Sequence, residues 1–342
     1  MKKIIVILLI TALVPTLLMA EIFAKTGTAG LQFLKIGVDA RATGMAEAYT
    51  AVTDDISSVY WNPAGLALKS DKDQFFVSHT NWVADIYYDY AAASKVTNYG
   101  TFALSLGMLY MDDMDVTTEE QFGPNGETFT NYDLSAGLTY ASMFTDKFSF
   151  GATVKYLRQN LDKYNVNGMS VDVGSLYNTG WKNLTIGMAL RNFGPDLRYE
   201  LDNDGDGSSD EDPFDLLDND GDGLIDEDRE EVEFKIPMNF SLGVAVDLMN
   251  RGNQRLIASG QIDNCVDREE TYNVGFEYKI GTFKIRAGNQ FNMDAAGLAA
   301  GLGWTLPLSF GIIDLDYSFT EMNDLSESFL KSPHRFTIKL YY

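Results

Sequence analysis

Residues 239–248 read NFSLGVAVDL. Phe240, Leu242, Val244, Val246 and Leu248 take alternate positions, and Asn239, Ser241, Gly243, Ala245 and Asp247 fill the places between. A period of two marks a strand with one apolar face. The same division recurs at 148–157, where Phe148, Phe150, Ala152, Val154 and Tyr156 oppose Ser149, Thr153 and Lys155. It recurs at 272–280, with Asn273, Glu277 and Lys279 on the polar side, and at 313–319, with Asp314, Asp316 and Ser318. The chain ends the same way in PHRFTIKLYY: Phe336, Ile338, Leu340 and Tyr342 alternate with Arg335, Thr337, Lys339 and Tyr341.

Two architectures produce such strands. A soluble sandwich turns the apolar face inward, and a transmembrane barrel turns it outward to lipid around a polar interior. Segment lengths near ten residues suit a tilted membrane strand of about 9–11 residues. Aromatic residues gather at the segment ends, as in interfacial girdles. These features favour an all-β, antiparallel outer-membrane barrel in contact with lipid. Fourteen candidate strands can be drawn, at 73–80, 86–97, 100–111, 131–143, 146–159, 168–178, 182–192, 236–250, 253–265, 270–281, 283–291, 296–304, 311–320 and 333–342. With both termini periplasmic, odd-numbered connections face outward. The long gaps at 112–130, 160–167, 193–235 and 321–332 are all odd, and the even gaps are short and supplied with Gly, Asn or Asp for tight turns.

The 342 residues are 45% apolar, too many for a disordered chain. The net charge of −23 is concentrated: residues 200–231 hold sixteen acids and one base, a net of −15, which leaves −8 elsewhere. That balance excludes nucleic acid as a partner. The single cysteine, Cys265, permits no internal disulfide framework and reads as an incidental small residue. Two histidines, His79 and His334, leave little imidazole chemistry, and no residue set suggests an enzyme. The N-terminus, MKKIIVILLITALVPTLLMA, has two lysines, an apolar run interrupted by Pro15, and Met19-Ala20. This is the layout of a secretory signal peptide over 1–20, cut after Ala20 or Ala24, and the run is short for a spanning anchor.

The acidic segment carries a tandem repeat with a period of sixteen. Asp202, Asp204, Asp206, Gly207 and Asp210 return as Asp218, Asp220, Asp222, Gly223 and Asp226. Alternate carboxylates converge on a hard cation, and the glycine allows the sharp bend. Ser208 and Leu224 hold the position that lends a backbone carbonyl. The bidentate Glu of an EF-hand is absent: Pro213 and Arg229 stand there, with acids one place earlier at Asp212 and Asp228. The pattern resembles the aspartate loops of thrombospondin type 3 modules. The expectation is a structural Ca2+ site in an extracellular insertion, 196–235, stiffening the loop. The alternative is a solvated acidic loop.

Residues 37–67, GVDARATGMAEAYTAVTDDISSVYWNPAGLA, lie before the first strand, within a segment bounded at 21–70 that precedes a barrel of 71–342. Small residues from Ala40 to Ala51 let backbone pack closely, and Pro63 presses Asn62 toward an extended shape. This stretch resembles the N-terminal signature of the PorV/PorQ family, barrels related to the FadL transporters. The resemblance rests on GVDARATGMAEAYTA, the Asp54-Asp55 pair and YWNPAGLA, and beyond residue 70 only the general barrel pattern matches. It implies a fourteen-stranded barrel with an N-terminal hatch in or beneath the lumen. In that hatch Asp39, Arg41, Asp54 and Asp55 pair with lumen groups, and Tyr60, Trp61, Asn62, Pro63 and Gly65 form the turn. It also implies a part in type IX secretion, with secretion-machinery subunits and exported cargo as partners. The alternative function is FadL-like passage or binding of small hydrophobic molecules. A third reading, a soluble calcium-binding adhesin, requires no lipid-facing girdle.

Overall fold

The computed structural model describes residues 27–68, 72–117, 123, 126, 128–161, 164–201, 233–293, 296–322 and 332–342. The segment read as a signal peptide and both aspartate repeats lie outside the described residues. Fourteen long strands form one antiparallel sheet. They are β1 Gln74–Asn81, β2 Tyr87–Thr97, β3 Gly100–Tyr110, β4 Asn131–Thr145, β5 Phe148–Leu161, β6 Tyr164–Asn178 and β7 Thr185–Phe193. The rest are β8 Asn239–Arg251, β9 Gln254–Cys265, β10 Thr271–Ile280, β11 Phe283–Phe291, β12 Ala296–Leu308, β13 Gly311–Met322 and β14 His334–Tyr341. Each strand pairs with its sequence neighbours, and β1 pairs with β14 from Gln74↔Tyr341 to Asn81↔His334. The sheet therefore closes and has no free edge, the condition for backbone polar groups at membrane depth.

The side-chain directions decide between the two architectures. Phe240, Val244 and Phe276 are each more than 40% exposed, while Asn239, Ser241 and Thr139 are buried. The apolar stripe faces out and the polar stripe faces in, as in a membrane barrel. Tyr99, Phe144, Trp181 and Phe310 stand exposed near the tight-turn rim, at the level of a membrane interface. No helix among the described residues is long and apolar enough to cross a membrane.

Two expectations need correction. The fifth connection is not long: β5 runs to Leu161 and β6 starts at Tyr164. The ladder continues because Glu200–Leu201, from the seventh connection, pairs with Asn165 and Tyr164 and extends the sheet at that rim. Nor do both ends of the described chain share one face. Gly27 bonds to Asp267 at the rim of long connections, whereas β14 ends at the opposite rim. The cause is residues 27–68, which cross the lumen once and so add an odd pass to fourteen strands.

Candidate functional site

That crossing segment is the hatch. At the outer rim Gly30 N donates to Lys235 O (3.0 Å), and Lys35 and Gln32 both reach the Asp267 carboxylate (2.9 Å each). Burial raises the Asp267 carboxyl, but bonds from Cys265, Gln32 and Lys35 outweigh it and hold the group below its ordinary value. The base of the seventh connection closes over this point, with Leu197 paired to Phe234 and Gly30 packed beneath the Phe234 ring.

At mid-depth the hatch is held by ions. Lys339 Nζ on β14 donates to Asp39 Oδ2 and Asp55 Oδ2, both at 2.7 Å. Arg41 makes a two-point contact with Glu277 on β10 (Nε–Oε2 2.9 Å, Nη2–Oε1 3.0 Å) and also reaches Asp54 and Asp55. Arg286 on β11 extends the network to Glu277 and Asp316, each at 2.7 Å. Apart from Asp54, which is exposed, these charges are out of water, where an unpaired member is costly. Burial alone raises the Asp55 carboxyl, but the Lys339 ammonium and the Arg41 guanidinium prevail and hold it well below the usual carboxylate range.

The YWNPAG turn is built from the same economy of bonds. Ser58–Trp61 is one helical turn, and Asn62, extended at φ −160°, caps the 3-10 helix Pro63–Ala67. Asn62 Nδ2 donates to Thr50 O and Ser175 O, and its Oδ1 accepts from Ala64 N (3.2 Å). Trp61 Nε1 donates to Val38 O (3.0 Å), and Tyr60 Oη donates to Ile36 O (2.8 Å). The Arg191 guanidinium lies over both rings. A Cβ at Gly65 would meet Ser58 and Thr53 at less than 3 Å.

What the sequence reading missed is the wall that receives this backbone. Three directly opposed glycine pairs face inward: Gly151↔Gly174, Gly187↔Gly243 and Gly275↔Gly288. Each pair seats hatch main chain. Pro63 and Asn62 lie on the first, Thr50 and Ala51 on the second, and the Met45 carbonyl on the third. A Cβ at Gly151, Gly187 or Gly275 would come within 2.4–2.5 Å of a hatch backbone atom. Lys339, Glu277 and Asp316 were visible only as polar alternates, and Arg286 was not singled out; their partners lie too far along the chain for spacing to reveal.

Two of the cavities beside the hatch share no lining residue. One, about 750 Å³, opens at the tight-turn rim between Val52, Leu176 and Ile257. The other, about 650 Å³, opens at the long-connection rim. Hatch residues Leu31, Phe33 and Ile36 form one side of this outer vestibule, and Trp82, Leu109 and Met322 line the other. Its charged groups are Lys35, Glu47, Asp133, Arg268 and Arg335. Glu47 and its neighbour Ala46 hold left-handed backbone (φ 62° and 52°), a sparsely populated region for residues other than glycine. Burial lifts the Glu47 carboxyl above its ordinary value despite Arg335 and Arg268 nearby.

The sequence matches the family model "Type IX secretion system protein PorV" over residues 20–266, well over half the chain. The chain belongs to the PorV family. Among curated proteins, none matches it. Among solved structures, the barrel is similar to the Ralstonia pickettii toluene transporter TbuX, with 12% identity and a TM-score of 0.55 over 89% of this chain and 98% of that one. It is similar to the Pseudomonas putida toluene transporter TodX (12%, 0.52, covering 87% and 96%). It is also similar to a Pseudomonas aeruginosa FadL homologue (14%, 0.51, covering 90% and 98%). At these identities the likeness concerns the fold. The PorV-family chain is thus a FadL-like β-barrel of the bacterial outer membrane.

Proposed function

We propose that this PorV-family barrel is a non-enzymatic receiving platform in type IX-like secretion, taking exported protein at the cell surface and passing it on for attachment. The observation that carries the reading is the hatch, which crosses the lumen at full depth, is pinned by buried ion pairs and rests on three glycine pairs. A barrel filled in this way suits work at its rim rather than transit through its bore. Its long connections at 111–130 and 194–238 lie on one side, where cargo arrives. The test is a strain lacking the gene: secreted cargo should accumulate in the periplasm, and the tagged barrel should copurify with secretion subunits or cargo C-terminal domains. Normal secretion in that strain would reject the reading.

One observation favours a second reading, the apolar outer vestibule, which suits a small hydrophobic molecule. Mass spectrometry of the detergent-purified barrel decides it: a retained lipid-like ligand supports it, and a clean barrel does not.

For residues 202–228 we propose structural Ca2+ binding, on the strength of the repeat. Calorimetry should show binding that falls on Asp202→Asn with Asp218→Asn, and an unchanged heat signal in the variant would leave only a solvated acidic loop.

A further inference from the structure

The cavity at the tight-turn rim has a polar annex that the hatch does not fill. The annex encloses about 210 Å³ and shares Asp54, Arg255 and Ile257 with the larger chamber of about 750 Å³. Three bases stand abreast in its wall. Arg255 on β9, Lys279 on β10 and Lys284 on β11 are consecutive partners in the sheet, Arg255↔Lys279 and Lys279↔Lys284, and all three line the annex. Like charges set directly opposite one another on a sheet face repel. The two flanking bases are answered within the wall: Arg255 Nε donates to Asp247 Oδ1 on β8 (3.0 Å), and Lys284 Nζ to Asp314 Oδ2 on β13 (2.7 Å). Lys279, between them, has no hydrogen bond or ion pair among the described residues. The nearby acids are committed elsewhere. Asp54 and Asp55 bond Arg41, Asp55 also bonds Lys339, and Glu277 is shared by Arg41 and Arg286. A row of cations with an unanswered centre, facing a cavity, is a seat for an anion. Beside it, the larger chamber has apolar wall at Val52, Leu176 and Ile257 and polar groups at Asn178 and Thr185. A free phosphate uses the annex and leaves the chamber empty. A bilayer phospholipid lies outside the wall, whereas these bases point into the lumen. An acidic stretch of polypeptide fills both.

We infer that the cavity at the tight-turn rim takes an acidic, partly apolar segment of a periplasmic protein, with Lys279 receiving a side-chain carboxylate and the chamber an apolar side chain. With the long connections outside, this rim faces the periplasm. The inference goes beyond the platform reading and does not depend on it, because it concerns the opposite end of the barrel. A chamber of about 750 Å³ lies within the range of ordinary ligand pockets and holds a few residues. A flexible ammonium with all its donors unused suits a single carboxylate as a point charge. Its charge also selects against basic segments, which the row of bases repels.

The test uses the whole barrel purified in detergent and two rhodamine-labelled pentapeptides, read by anisotropy. One alternates leucine with glutamate, and in the other glutamine replaces each glutamate. Both end in an amide, so that side chains alone carry the charge. The glutamate peptide should bind, and the glutamine peptide should bind roughly tenfold more weakly or worse, as loss of a charge-assisted bond predicts. Lys279→Gln should bring the glutamate peptide down to the level of the glutamine one, and Lys279→Arg should keep the difference. Lys279 has no partner to lose, so Lys279→Gln should not lower the urea midpoint of the barrel. Heat-shifted electrophoretic mobility checks that each variant is folded. Equal binding of the two peptides overturns the inference, as does absence of binding to the folded barrel. Discrimination that persists in Lys279→Gln overturns it too, and a lowered midpoint in that variant makes the lysine a structural residue instead. Inorganic phosphate binding as tightly as the glutamate peptide also overturns it, because the site is then one for free anions. A gene deletion that leaves secretion intact rejects the platform and leaves this site standing.

Discussion

Lys339 shows how much a single residue holds. Its ammonium is the shared partner of Asp39 and Asp55, all three out of water. Lys339→Met should leave two buried carboxylates facing a thioether and destabilise the barrel by about 3–5 kcal/mol, the usual cost of breaking a buried pair. Urea unfolding followed by tryptophan fluorescence measures it; a loss below 1 kcal/mol would mean that Arg41 alone neutralises the acids. Acid should act on the same contact. The Asp55 carboxyl is held below its unfolded value, about 3.9 for an aspartate. Its contribution is complete above that value and is lost as pH falls beneath it. Unfolding midpoints should therefore hold steady from neutrality to about pH 5 and decline below about pH 4. A decline that survives in Asp55→Asn would assign the acid sensitivity to other carboxyls.

At the scale of the element, alternation made the strands legible, since a period of two survives wherever one face meets lipid. The other connections could be placed because turn residues mark the tight ones. The fifth connection escaped because the strand extension there is stabilised by Glu200–Leu201, some forty residues away in sequence. The hatch was legible as small residues and a proline turn, but its seat was not. Gly243 looked like an ordinary alternate until pairing set it opposite Gly187 under Thr50 and Ala51. Gly187→Val should therefore cost about 1–3 kcal/mol by overpacking and expose the hatch to limited proteolysis, although the position is far from any loop. Protection equal to that of the unaltered barrel would show that the hatch can shift aside. On the other face, Val244→Arg should cost about 2–4 kcal/mol when folding is measured into lipid vesicles, as for a cation near the bilayer midplane. A neutral effect would place β8 against something other than hydrocarbon.

For the whole molecule, the outer insertion and the barrel should be separable. The seventh connection is tied down before residue 202 by Leu197↔Phe234 and by the Glu200–Leu201 pairing. Replacing 202–231 with a short Gly/Ser linker should preserve heat-modifiable barrel mobility while altering secretion; a collapsed barrel would make the insertion essential to the fold. A wider consequence follows from the hatch lying first in the chain and Lys339 lying near its end. The final strand both completes the cylinder and delivers the cation that fastens the stopper. Closing the ring thus completes a fastening that Glu277 and Asp267 share, so a half-zipped intermediate would hold its cork by fewer bonds.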